Sequence, residues 1–313
     1  MLLNSPPARA EKHEGAHADG EQNGNRGGAW RGRERCTDPV ARYIDGGFEK
    51  VDGFLVEGAV TLIAAIARKQ EDLGVRGHVC EIGVHQGRAF ILLHLLARPG
   101  ETGVAIDVFE RQDLNVDASG RGVRAHFERN CRRHGVDMDR VRILSTDSLD
   151  LSGDDLRVAA GGPLRLVHID GGHTEQAACH DMATSAAALA PGGVIVVDDY
   201  FHEQWPGVSD GVRTFFRTHP GADLVPFAVG GNKVFFCQRA FSKAYRACFE
   251  ALRVSGYAKQ TVMFGEPVLT FAFWRMGPRD RFIRSRWWYA IRGQRGIRAL
   301  RNWRRRRLGR AAA

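Results

Sequence analysis

Val79-Cys80-Glu81-Ile82-Gly83-Val84-His85-Gln86-Gly87 decides the fold. Four residues fit a buried strand, the glycines fit a turn, and an apolar stretch over 89–97 follows with helical spacing. Glycines at such a turn let a small ligand approach the backbone. Two further runs match the strand. Leu164-Arg165-Leu166-Val167-His168-Ile169-Asp170 ends in one acid, and Val194-Ile195-Val196-Val197-Asp198-Asp199 ends in two. In an open parallel sheet, ligands bind beyond the carboxyl ends of the strands, so these acids are expected in one crevice.

Outward from these runs the chain alternates. Strands are predicted over 103–108, 141–145, 166–169 and 194–197, with helices over 123–134, 149–159, 174–189 and 209–218 between and after them. Strands over 224–229 and 233–237 close the series around Gly230-Gly231-Asn232, a tight-turn signal. The fold class is α/β, a doubly wound, Rossmann-like sheet whose closing hairpin adds an antiparallel edge strand. Beyond Arg239 the pattern weakens to a helix over 241–254 and one strand-like run over 262–274.

With 313 residues, 43% of them hydrophobic, the chain can bury one α/β core and leave segments at both ends. Residues 1–38 are poor in large apolar side chains and are expected to be disordered. The net charge of +9 is uneven. Residues 275–313 hold 14 Arg, no Lys and one acid, a local +13 that leaves −4 for the rest. The main domain therefore shows no electrostatic sign of specific nucleic-acid binding. Arginines interleaved with Trp287, Trp288, Tyr289 and Trp303 over 284–310 read either as a peripheral contact to an anionic membrane surface or to nucleic acid, or as a solvated or self-associating tail. Self-association of the chain stays open. Six scattered cysteines (Cys36, Cys80, Cys131, Cys179, Cys237 and Cys248) form no CxxC pair, which fits free thiols. With no apolar stretch of membrane-spanning length, the expected location is cytoplasmic, including the inner membrane surface.

The turn is not a dinucleotide fingerprint, since one glycine is missing and Glu81 stands at the strand end. An acid there repels pyrophosphate but suits a cationic nucleoside bearing an amino acid, which favours S-adenosylmethionine over NAD. Asp107 ends the second strand, where a carboxylate can accept hydrogen bonds from both ribose hydroxyls. Asp147 and Ser148 follow the third strand, at the height of an adenine amino group.

Glu-Ile-Gly-Val-His-Gln-Gly (81–87), Ala-Ile-Asp (105–107), Thr-Asp-Ser (146–148), His-Ile-Asp-Gly-Gly-His (168–173) and Pro-Gly-Gly-Val-Ile-Val-Val-Asp-Asp-Tyr (191–200) together resemble the class I S-adenosylmethionine-dependent methyltransferases over about 53–238. Within that superfamily the chain is similar to the group of the macrocin and mycinamicin sugar O-methyltransferases. The resemblance implies a seven-stranded sheet in the order 3-2-1-4-5-7-6 with strand 7 antiparallel. It also implies a methyltransferase domain over 39–239, including an N-terminal helical lid, and a C-terminal extension over 240–313. Cofactor binding falls on Glu81, Gly83, Gly87, Asp107, Asp147 and Ser148.

Three acids in one crevice repel one another unless a cation neutralises them or one is protonated. Hard oxygen ligands suit Mg²⁺, Ca²⁺ or Mn²⁺. The resemblance maps metal binding onto Asp170, Asp198 and Asp199, with Mg²⁺ the expected ion. The plainer reading has Asp199 capping the next segment and Asp170 paired with a nearby histidine. His173 and His202 are rival proton acceptors, since imidazole titrates near neutral pH. Tyr200 and Trp205 are expected at the acceptor pocket. The segment 51–55 reads as a lid or as edge packing, and the polar loop 110–120 as a cover or as a solvated loop. The expected activity is O-methylation of a sugar, glycan or glycosylated metabolite. The alternatives are a catechol-type phenolic methyltransferase and a non-catalytic nucleoside-binding protein anchored by its tail.

Overall fold

The computed structural model describes residues 38–252 and 257–273. The stretch 284–310, Cys36 and all of 1–38 except Asp38 lie outside the described residues. Nine strands form one mixed sheet: β1 (His78–Ile82), β2 (Gly103–Ile106), β3 (Val141–Leu144), β4 (Leu164–Ile169), β5 (Leu189–Val197), β6 (Val225–Gly230), β7 (Lys233–Cys237), β8 (Tyr257–Met263) and β9 (Glu266–Ala272). Their order is β3-β2-β1-β4-β5-β7-β6-β9-β8. Strands β1 to β5 are mutually parallel, and β7 runs antiparallel to both β5 and β6.

Strands β2, β4 and β7 are buried along their whole length, as expected of strands covered on both faces. The helices are α1 (Pro39–Arg42), α2 (Glu57–Asp72), α3 (Arg88–Leu95), α4 (Arg124–Arg133), α5 (Gly153–Ala160), α6 (Glu175–Ala188), α7 (Pro206–Thr218) and α8 (Arg239–Glu250). Side chains of α2, α3 and α8 build one core layer, and those of α5, α6 and α7 build the other. Local chemistry sets the helix starts. Ser152 and Asp155 make a reciprocal capping box on α5, and the Thr174 hydroxyl accepts the Ala177 N–H on α6.

Two expectations change. The run Pro191-Gly192-Gly193 does not precede β5 but lies inside it, as a bulge that shifts the register between Leu164 and Leu166. The sheet has nine strands, so β6 is not an edge. The strand-like run over 262–274 divides at Phe264-Gly265 into the hairpin of β8 and β9, and β9 pairs in parallel with β6. Both turn residues have positive φ (51° and 78°), the backbone of a type I′ hairpin turn, here with an untypical Phe at its first position.

Candidate active site

A crevice of about 550 Å³ opens at the carboxyl ends of β1, β2, β4 and β5. Gly83 and Gly87, with φ of +83° and +92°, form its first wall between β1 and α3. A β-carbon at Gly83 would overlap the Asp170 carbonyl oxygen, so the turn lies flush against the end of β4. The turn aims the His85 N–H at Asp107 Oδ2 (2.7 Å), while the Phe109 N–H reaches Asp107 Oδ1 (2.6 Å). These bonds fix the carboxylate and leave it lone pairs for a ligand. Burial nonetheless raises its pKa. Gly122 faces it, and a β-carbon there would stand 3.0 Å from Oδ1, which leaves a cradle beside the carboxylate. Asp147 and Ser148 line the same crevice, with Asp147 Oδ1 capping the Leu149 N–H at 3.0 Å.

Glu81 borders the crevice but lies below the turn, only 2% exposed. Its Oε1 is 2.7 Å from His168 Nδ1, and Oε2 has no hydrogen-bond partner among the described residues. Burial, with Asp170 nearby, holds its pKa well above the ordinary glutamate range. His168 Nε2 faces Asp198 Oδ2 at 3.7 Å, and the Lys233 ammonium pairs with that same oxygen. Glu81, His168, Asp198 and Lys233 thus make a row of alternating charge type across the adjacent strands β1, β4, β5 and β7. Sequence reasoning missed the parts played by His168 and Lys233. Their one signal was a basic side chain in a mostly apolar strand.

Beyond this row lies a second polar group. His173 Nε2 is 3.2 Å from Asp199 Oδ2 and 4.0 Å from Asp170 Oδ1. Asp117, from the loop after β2, meets both Nδ1 (2.8 Å) and the backbone N–H (2.6 Å) of His173, so this loop covers the crevice. Burial opposes the charged imidazole, but Asp199 and Asp117 overcome it and raise the pKa to about 9. Against its own burial, Asp117 is held at about 2 by Ser119 and His173. Burial likewise opposes ionisation of Asp199, yet His173 and Asn232 keep its pKa below the usual range. Asp170 is the reverse case, pushed well above it by burial and by Asp198.

The three acids expected as one metal cluster are therefore not equivalent. Asp170 and Asp199 converge with His173, one ligand atom from each lying within 4.8 Å of the others. Asp198 lies deeper, with Lys233 on one oxygen and the Asp199 N–H (2.9 Å) on the other. Two carboxylates and an imidazole on an acid-rich wall have the donor chemistry a divalent cation needs. His202 lines the crevice and accepts the Gln204 N–H on Nδ1 (3.2 Å). Trp205 stacks on His173 with ring centroids 4.3 Å apart. Tyr200 departs from expectation: it is buried in the core against Phe201 and does not line the crevice, because the chain turns sharply at Asp199 (φ 56°). Residues Asp52 to Val56 border the crevice, with Phe54 standing 88% exposed.

Residues 80–200 match the family described as a methyltransferase domain. No curated protein matches the chain significantly. Among solved structures, the O-methyltransferase NovP is similar at 20% identity and a TM-score of 0.50, covering 60% of this chain and 83% of that one. TomG from Streptomyces achromogenes, an O-methyltransferase of tomaymycin synthesis, has 18% identity and a TM-score of 0.44, over 64% of this chain and 88% of its own. CalS11, a calicheamicin methyltransferase, has 16% identity and a TM-score of 0.45, over 68% and 98%. The likeness to NovP is one of fold, and the matched segment contains the glycine turn, Asp107 and the acid-bearing ends of β4 and β5. Residues 80–200 thus match a methyltransferase domain, on a Rossmann-like sheet whose fold is similar to that of NovP.

Proposed function

We propose that the chain is a divalent-metal-assisted O-methyltransferase that methylates a hydroxyl of a sugar, glycan or glycosylated metabolite. One observation carries this reading: a single crevice holds a ribose-type carboxylate, Asp107, at one end and the Asp170, His173 and Asp199 group at the other. Gly83, Gly87, Asp107, Asp147 and Ser148 hold the cofactor, with Glu81 beneath its amino-acid end. The methyl group passes in line from the sulfonium to the acceptor oxygen. The C–S bond breaks as the C–O bond forms, and the hydroxyl proton must leave. The domain's work is positioning and proton removal.

Asp170, Asp198 and Asp199 stand at the acceptor end, where they would hold the cation, and His202, or His173 in its neutral form, takes the proton. A cation bound there supplies a lowered pKa for the acceptor hydroxyl. Trp205 offers a flat apolar face suited to the C–H side of a sugar ring. The enzyme is cytoplasmic in this proposal, and the Arg- and Trp-rich stretch 284–310 contacts an anionic membrane surface. No described helix is long and apolar enough to cross a membrane.

Calorimetric titration of S-adenosylhomocysteine, followed by methyl transfer to panels of glycosides and catechols, tests the reading. Asp107→Ala is expected to weaken cofactor binding about 100-fold, the loss of two charge-assisted hydrogen bonds. No binding by the intact chain would overturn the proposal. Transfer to catechols alone would move the acceptor class, and binding without any transfer would point to a nucleoside-binding protein.

A further inference from the structure

His173 is held more tightly than a mobile base would be. Asp117 takes both Nδ1 and the backbone N–H, and Trp205 stacks over the ring. These contacts leave Nε2 pointing between the carboxylates of Asp199 and Asp170. A histidine that gives one ring nitrogen to a carboxylate and turns the other toward two more has the form of a metal ligand with its outer partner. A second observation comes from the layer beneath. Glu81 Oε2 and His168 Nε2 are buried without hydrogen-bond partners among the described residues, and Glu81 and His168 form with Asp170 another compact group of donor atoms. Asp170 is thus bordered on one side by polar atoms left open and on the other by His173 Nε2.

Asp198 differs. Lys233, 1% exposed, pairs with Oδ2, while the Asp199 N–H and, at 3.5 Å, the Asn232 amide reach Oδ1. The protein's own donors occupy both oxygens. We propose that a divalent cation here is held by Asp170, Asp199 and His173 Nε2, with Asp117 orienting the histidine and Lys233 withholding Asp198 from the ligand set. The placement of this ion beside an acceptor rests on the methyltransferase reading. The donor set does not. Two carboxylates and an imidazole favour Mn²⁺, Fe²⁺, Co²⁺ or Zn²⁺ over Mg²⁺, whose preference is for oxygen alone. As a ligand, His173 leaves His202 to take the acceptor's proton.

The test is Mn²⁺ titration of the full chain followed by electron paramagnetic resonance, with pulsed measurement of nitrogen coupling to the bound ion. S-adenosylhomocysteine titration of each sample checks folding. The wild-type chain should show imidazole nitrogen coupling, absent from His173→Gln. Mn²⁺ affinity should fall at least about 10-fold in His173→Gln and Asp199→Asn, and about 10-fold in Asp117→Asn. Asp198→Asn should bind Mn²⁺ as the wild type does. Bound Mn²⁺ without nitrogen coupling, or equal losses in Asp198→Asn and Asp199→Asn, would overturn the ligand set. If Asp198→Asn fails to fold, the wild-type coupling decides. A chain that binds S-adenosylhomocysteine but no Mn²⁺ would refute the ion site and leave the methyltransferase reading standing. Nitrogen-coupled Mn²⁺ without cofactor binding would do the reverse.

Discussion

At the scale of single residues, the crevice collects what elsewhere would be faults. His85, Asp199 and Asn232 all line it with left-handed backbone (φ 48°, 56° and 68°), a conformation that costs about 1 kcal/mol or more for a side-chain-bearing residue. Each is held by what it aims: His85 its N–H at Asp107, and Asp199 and Asn232 their side chains at one another. Asp181 on α6 is a different case. It is fully buried beside Gly171 and Ile82, neither oxygen has a hydrogen-bond partner among the described residues, and burial pushes its pKa up to about 7. The folded pKa lies above the unfolded one, so no stability is lost below about pH 4, where both states are protonated. As the pH rises from there through 7, the unfolded chain releases this proton first and stability falls. Urea unfolding from pH 4 to 8 should show the wild type losing stability relative to Asp181→Asn up to about pH 7 and levelling beyond. Parallel curves would mean that Asp181 ionises freely in the folded chain.

At the scale of elements, legibility followed burial. Strands β1, β4 and β5 were readable because they are covered on both faces and most of their positions are apolar. The hairpin of β8 and β9 was read as one strand because a Phe stands where the turn needs positive φ, and because residues 258–262 of β8 are exposed and carry little apolar pattern. The second strand is nonetheless part of the core. Phe271, 7% exposed, meets Phe249 of α8 edge-on at 5.7 Å. Phe271→Ala should cost about 3 kcal/mol in denaturant unfolding, in the range of buried aromatic truncations. A loss under about 1 kcal/mol, typical of surface positions, would show that the hairpin only rests on the domain. The site divided similarly. Asp107, Asp170 and Asp199 were legible as strand-end acids, whereas Asp117 sits in a polar loop without periodicity, 56 positions from the histidine it holds.

At the scale of the molecule, the sheet carries buried charge at both ends and apolar packing between. Opposite the crevice, Arg165 on β4 is fully buried and bonds Glu101 (2.7 Å) and Gln70 (2.7 Å). Removing one partner of such a pair costs more than the pair itself contributes, so neither end can lose a residue lightly. Stability should therefore be highest across the middle strands. Amide hydrogen exchange is expected to be slowest in β1, β4, β5 and β7 and fast in the loop 110–122. Protection of that loop equal to the strands would mean that it is built into the core.

Lys233 reaches Asp198 because β7 runs antiparallel, which puts its first residue, not its last, at the crevice. The two-residue type I′ turn Gly231-Asn232 sets that register, and Gly231 has no room for a side chain against Ala59. A slip of one residue would bring an apolar neighbour to Asp198 and turn the lysine to the other face. Away from Asp117, Asp199, His202 and Trp205, the loops after β2 and β5 carry no fixed register and can change in length. This turn cannot, and it is where diversification of the scaffold has to stop.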